Sequence, residues 1–384
     1  MPKRILIAAG VLVVAAGIAC LLATRGPMVN AAAKPGQIVW KHYTGASVCF
    51  SPASDSGLVY FGSEPVNRVQ VLMRFFRSKT YFQAVDAGTG KRKWRVKVGG
   101  RATGAPLVRE GTVYFGTWEG DFHALDIRTG EEKWRFDVPQ SIAIQSSPVS
   151  AVDGKAVVFA CRDGYVYSLD AKTGNQLLRY PARQDLWSGV AAGGSIVFGG
   201  NMGGRVFAVD LVTGKEKWGV ATGKGIVNST PLVAGDTLFV GSGDGCLYAL
   251  DPVTGAEKWR FQTAGPVRTS PRLVEGTLFF GSSDNYIYAV DAASAKEKWK
   301  FMARDAAGSS PAVADGVVYF GCEGGDFYAV DSVTGKELWS LNVGRPIKSD
   351  PVIAGDVVCF GDWSQNVYAV RIEKRDAVAD QARK

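Results

Sequence analysis

An eleven-residue phrase, A-x-D-x-x-x-G-x-x-x-W, recurs along this 384-residue chain with a period close to forty. Its aspartate falls at Asp86, Asp126, Asp170, Asp210, Asp251, Asp291 and Asp331, at intervals of 40, 44, 40, 41, 40 and 40 residues. The tryptophan eight places on is Trp94, Trp134, Trp218, Trp259, Trp299 and Trp339, with Leu178 in the third copy. No other feature constrains the fold so tightly, because self-similarity at this period means one supersecondary unit stacked on its copies.

Each unit reads as four short strands. In the copy before Trp339 they are SSPAVAD, GVVYFG, DFYAVD and KELWSL, rich in β-branched and aromatic residues and separated by Gly and Asp turn signals. No stretch between residues 37 and 372 shows a helical period over a dozen residues. Four strands in forty-odd residues is the blade of a β-propeller. The ends decide between a ring and an open array. An eighth hairpin, DVVCFGDWSQNVYAV, stops at Arg371 where the aspartate belongs and has no tryptophan strand after it, whereas a lone strand around Trp40, GQIVWKHYTG, precedes the first hairpin. One end supplies what the other lacks, so the expectation is an all-β, eight-bladed propeller of four-stranded antiparallel blades. Its N-terminal strand completes the last blade and leaves no open sheet edge.

The repeated phrase itself is assigned to packing. Gly90, Gly130 and Gly335 suit turn positions with positive φ, the aspartate and its neighbouring threonine can satisfy local N–H groups, and the tryptophan is expected to wedge between blades with the alanine opposite it. Leu178 and Ala295 are weaker copies. Three regions follow: residues 1–36 as a membrane-directed segment and linker, 37–372 as the propeller, and 373–384 as a polar tail.

Residues 5–24 are twenty apolar or small residues after Lys3 and Arg4, long enough to span a bilayer as an uncleaved anchor. The small residues at 31–33 leave a cleaved signal open, and Cys20 leaves lipidation open. In each case the propeller lies outside the cytoplasmic membrane, periplasmic or otherwise extracytoplasmic. The six cysteines do not form a disulfide framework: besides Cys20, Cys49, Cys161, Cys246, Cys322 and Cys359 lie in or beside strands at irregular spacing and read as buried thiols. His42 and His123 are the only histidines, in positions whose counterparts in other repeats are not ligands, so no metal site is assigned. No phosphate-binding loop or nucleophile elbow is present, and the chain is read as a non-enzyme. The formal charge of +8 is not gathered into an arm suited to nucleic acid; an acidic partner surface or anionic lipid is its natural target.

The A-x-D-x-x-T-G-K-x-x-W form resembles the tryptophan-docking motif of the pyrroloquinoline-quinone (PQQ) propeller superfamily, over nearly all of residues 37–372. Within it the chain is most similar to the BamB family of outer-membrane assembly factors. The resemblance implies a monomeric, non-catalytic propeller that binds protein partners in the cell envelope, attached to a membrane through its N-terminal segment. The quinoprotein alcohol dehydrogenases of the same superfamily use an adjacent cysteine pair beside the quinone and a calcium site. Here no such pair occurs, and Asp350 is the one obvious acid at its inner-strand position. No cofactor is therefore assigned. A redox propeller binding PQQ or another ligand, and a sensor or carbohydrate-binding propeller, stand as alternatives.

Functional variation belongs in the loops that a rigid repeat holds in place. Seven of the ten tryptophans occupy the repeat slot or its Trp40 equivalent; Trp118, Trp187 and Trp363 do not. All three map to the face formed by the tips of the second and third strands and by the connections between blades. On that face the first blade carries an insertion, residues 63–80, about fourteen residues longer than its counterpart in the second blade. Arg74, Phe75, Phe76 and Arg77 within it resemble interface anchors; self-packing of the hairpin is the alternative. The connection RYPARQDLWSGV offers Arg183, Leu186 and Trp187, at a place comparable to a partner-contacting loop of the BamB family. Arg101, Gln145, Asn228, Arg268, Lys348 and Asp350 are placed at the channel mouth.

Overall fold

The computed structural model describes residues 27–44, 46–47, 51–65, 80–223, 225 and 227–373. The apolar segment at 5–24, Cys20, Cys49, the C-terminal residues from 374 on and the four insertion residues Arg74, Phe75, Phe76 and Arg77 lie outside them. Among the described residues no helix is long and apolar enough to cross a membrane.

Eight antiparallel sheets form a closed ring. The seventh blade is typical, running Ala312–Ala314, Val317–Gly321, Asp326–Asp331 and Glu337–Asn342 from the channel outward. The eighth is made from both ends of the chain. Its inner three strands are Val352–Ala354, Val357–Gly361 and Asn366–Arg371, and its outer strand is Ile38–Tyr43, with Trp40 opposite Ala369 and His42 opposite Val367. The expected closure is thus observed. In the first blade a short strand, Ala46–Ser47, adds a fifth member by pairing with Glu64 and Pro65.

The repeated phrase packs as expected from its residues. Each tryptophan faces the alanine of its own hairpin, as in Trp134 opposite Ala124 and Trp299 opposite Ala289, and a bulge lies just before it in the pairing. Such a bulge bends the strand and re-aims the side chain. The indole then lies on the next blade's turn glycine: a Cβ on Gly130, where φ is +76°, would stand 2.7 Å from the Trp94 ring. A buried indole N–H needs an acceptor, and in most of the docks the same turn supplies it. Trp94 donates to Ile127 O at 2.8 Å and Trp134 to Ala171 O at 3.1 Å, while Trp40 donates to Ala87 O at 2.6 Å and so ties the eighth blade to the first. Nearer the axis, aromatic pairs stack between blades, Phe82 on Phe115 at 3.9 Å and Phe327 on Phe360 at 4.0 Å.

The departures have structural consequences. Leu178 covers Gly214 in place of an indole. Ala295 adopts φ of +59° where the other repeats have glycine. Because Arg371 replaces the last aspartate, Trp339 lies on Gly36 of the N-terminal segment, and its buried Nε1 has no hydrogen-bond partner.

Hydrogen bonding separates two faces. On one, the turn after the third strand of most blades bonds back to the turn after the first, as Ala171 N to Lys155 O and Ser332 N to Gly316 O, both at 2.9 Å. On the other, the tip after the second strand bonds to the connection entering the same blade. Trp118 N donates to Arg101 O at 2.8 Å, Arg162 N to Ala143 O at 3.1 Å and Trp363 N to Pro346 O at 3.0 Å. We call these the turn face and the mouth face.

Candidate functional site at the channel mouth

The innermost strands begin on the mouth face, and a ring of hydrogen bonds holds their first residues. Gly189 N donates to Thr230 Oγ1 at 3.1 Å, Thr230 N to Ser270 Oγ at 3.0 Å and Ser270 N to Ser310 Oγ at 2.9 Å. Ser310 N donates to Asp350 Oδ1 at 2.6 Å, and Asp350 N to Ser51 Oγ at 2.8 Å. Thr230, Ser270, Ser310 and Asp350 each receive an N–H from the previous blade and hand their own to the next. The residue just before each often ties the strand back to its own blade: Ser349 Oγ accepts Gly361 N at 2.7 Å and Thr269 Oγ1 accepts Gly281 N at 2.7 Å. Buried backbone N–H groups that would otherwise lack partners are satisfied this way.

Asp350 is therefore a ring member in a hydroxyl's slot. Loss of water in the channel wall pushes its carboxyl pKa above the ordinary value, opposed by the Ser310 N–H and by the charge of Arg272. Its acceptor role is structural, which assigns the one acid singled out in the sequence to architecture.

Above this ring the mouth opens into a cavity of about 340 Å³. Gln145, Asn228, Arg268, Lys348 and Asp350 all line it, together with Trp187. Arg101 stands outside it, bonded to Glu119, whose Oε1 is 3.3 Å from Arg101 Nε. Arg268 is exposed and makes no hydrogen bond or ion pair among the described residues, whereas Lys348 lies 3.1 Å from Glu323.

The three tryptophans outside the repeat all pair with cations. The Trp118 ring lies between Arg101 at 5.0 Å and Arg162 at 5.5 Å; Arg162 also covers Trp187 at 4.6 Å; Lys348 covers Trp363 at 4.4 Å. Arg162, from the tip of the third blade, thus bridges Trp118 and Trp187 in a band across blades two to four. Its Nε is buried without a partner and its Nη2 lies 4.0 Å from Asp185. Trp187 and Trp363 are 38% and 49% exposed, unlike the docked Trp40, which is fully buried.

One sequence expectation changes here. Leu186 is fully buried in the cluster shared by the third and fourth blades, with Ala182, Val190 and Val197, so it anchors its loop and offers no surface. Arg183, at φ of +70°, is exposed, as are its neighbours Gln184 and Asp185 and the loop's Trp187. Arg162 was not anticipated, because R-D-G reads as an ordinary turn.

The other reactive groups are packed. His123 stacks on Phe115 at 5.1 Å and bonds Glu132 through Nδ1 at 2.7 Å. Cys161, Cys246, Cys322 and Cys359 are buried and unpaired, and burial pushes the Cys322 thiol up to about 12. Among the described residues no cluster of three His, Cys, Asp or Glu side chains could hold a metal ion.

Comparison with known proteins agrees with this architecture. A family model described as outer membrane protein assembly factor BamB matches residues 29–201 and 202–381. The BamB protein of Burkholderia pseudomallei is 40% identical over 87 residues, which are 23% of this chain and 22% of that one. The BamB protein of Nitrosomonas eutropha is 26% identical over 180 residues, 44% of this chain and 38% of the other. The matches thus span less than two fifths of the length of these curated relatives. Among solved structures, BamB from Moraxella catarrhalis shares the fold with a TM-score of 0.70 at 17% identity, over 88% of this chain and 98% of that one. Quinohemoprotein alcohol dehydrogenase from Comamonas testosteroni shares it at 0.72 and 15%, over 92% and 79%. Since the family match runs through both halves of the ring and takes in the closing strand, this chain belongs to the outer membrane protein assembly factor BamB family.

Proposed function

We propose that this propeller is a non-catalytic scaffold of the cell envelope that docks a protein partner of outer-membrane protein assembly on its mouth face. It works as a monomer outside the cytoplasmic membrane, held there through its N-terminal segment, and without a cofactor. Family membership supports the assembly role. The observation that carries the choice of surface is the placement of the three non-repeat tryptophans, all on one face and each stacked with a cation. Aromatic and arginine side chains are the usual anchors of interfaces. Stacking on a guanidinium or ammonium also restrains them before binding, which lowers the entropy lost on docking.

Affinity capture from envelope extracts, followed by mass spectrometry, tests this reading. Wild-type protein is expected to retain an outer-membrane assembly component that the Trp187→Ala, Trp363→Ala double variant loses. Equal capture by both, with both folded, would move the interface to another face.

A further inference from the structure

We propose that the cavity at the channel mouth is a binding site for a small polyhydroxylated carboxylate, a sugar acid or hydroxy acid, gripped by Arg268. This site adjoins the protein-docking band through Trp187 and Lys348, but its grip on the ligand rests on Arg268, which the band does not use.

The walls determine the kind of occupant. Ser147, Thr230 and Ser270 each use one lone pair to accept a backbone N–H of the ring, at 2.8, 3.1 and 3.0 Å. Each hydroxyl keeps its proton and a second lone pair for the channel. Asn228 adds an amide, and no large aliphatic side chain lines the cavity. A lipid finds no aliphatic wall here; a polyol finds hydroxyl and amide partners. The volume, about 340 Å³, lies at the small end of the ~300–1,000 Å³ range of ligand sites. It suits a molecule of roughly a dozen non-hydrogen atoms.

Charge narrows the class further. Two cations and two acids border the cavity, but three of the four are committed. Glu323 lies against Lys348 at 3.1 Å, and Asp350 accepts the Ser310 N–H at 2.6 Å. Arg268 alone has no partner among the described residues, and its planar fork matches a carboxylate in two parallel hydrogen bonds. A doubly charged phosphate would meet the two carboxylates with only one uncommitted cation, so a single negative charge fits best. Trp187, one face covered by Arg162 at 4.6 Å and 38% exposed, edges the same cavity and gives a sugar ring an aromatic surface.

Isothermal titration of the purified full chain with D-glucuronate tests the site, with glucose and acetate as probes of each half of the ligand. Saturable glucuronate binding is expected, at least about tenfold tighter than either partial probe. Arg268→Ala is expected to weaken it at least about tenfold with the melting temperature unchanged, and Arg268→Lys, which keeps the charge and loses the fork, to fall between. Absence of saturable binding at tens of millimolar glucuronate overturns the proposal, as does equal binding by Arg268→Ala. Acetate binding as tightly as glucuronate overturns the polyol part. Partner capture by Arg268→Ala, measured in parallel, is expected to match wild type, so loss of one activity without the other separates this site from the docking surface.

Discussion

The two faces of the ring are built by the same eight blades and follow opposite rules. On the turn face one solution repeats: an aspartate accepts the threonine N–H, as in Asp170 with Thr173 at 2.8 Å and Asp251 with Thr254 at 2.7 Å, and a glycine lies under the neighbouring blade's indole. On the mouth face the connections differ from blade to blade, and the tryptophans that break the repeat lie there beside unrelated cations. Repetition marks what every blade needs in order to pack. The exceptions, gathered on one face, mark what the molecule presents to others.

The largest effect expected from breaking this contrast comes from the turn face. Trp40→Ala removes a fully buried indole that joins the two ends of the ring and should cost about 3–5 kcal/mol, read as a lower urea midpoint. An unchanged midpoint would mean that the docks do not close the ring.

Next comes the hydroxyl ring beneath the mouth. Asp350→Ala strands the Ser310 N–H and should cost about 1–3 kcal/mol, whereas Asp350→Asn keeps an acceptor and should stay near wild type. The pH dependence sharpens the difference between the faces. Turn-face carboxylates such as Asp170 and Asp251 are held below their ordinary pKa by backbone N–H bonds, so the stability they supply is present above the ordinary carboxylate value and fades as pH falls through the lowered one. The Asp350 carboxyl is raised by burial, so its contribution is full below the ordinary value and is lost as pH rises through the raised one. Urea midpoints measured across pH should therefore show a decline on the rising side of Asp350 that Asp350→Asn abolishes, with the acid-side loss intact.

Two smaller effects follow. Ala295→Gly should stabilise the ring by about 0.5–1 kcal/mol, since the residue sits at φ of +59° where an L side chain is strained. Trp363→Ala should change stability by less than about 0.5 kcal/mol, its ring being half exposed, while costing ~2 kcal/mol of partner binding. A melting point that falls as far for Trp363→Ala as for Trp40→Ala would erase the distinction between the faces.

What could be read from the sequence follows the same division. Blade number, closure by the Trp40 strand and the tryptophan–alanine facing were all legible, because packing demands that recur at every blade leave a period in the chain. The hydroxyl ring leaves one too, the hydroxyls before Pro148, Pro231, Pro271 and Pro311, but it is fainter than the tryptophan signal, and Asp350 alone stands out from it as an acid. The mouth was only partly legible. Trp118, Trp187 and Trp363 stood out by breaking the pattern, yet Arg162 gained its place between two indoles from tertiary proximity alone. Leu186 misled in the opposite way: an apolar side chain in a short connection over a closed core is more stable turned inward, and its loop position says nothing of that.

The closing strand also gives the ring a mechanical direction. Gly36 N bonds Arg371 O, so the chain enters and leaves the closing blade at the turn face, opposite the mouth, the side on which a leash to that blade would pull. A load carried between such a leash and a partner gripping the mouth runs along the axis of the Ile38–Tyr43 strand. Its backbone bonds, from Ile38 opposite Val370 to Tyr43 opposite Asn366, then bear the load together in shear, and the blade that looks like the weak seam of the ring is oriented to resist being peeled open.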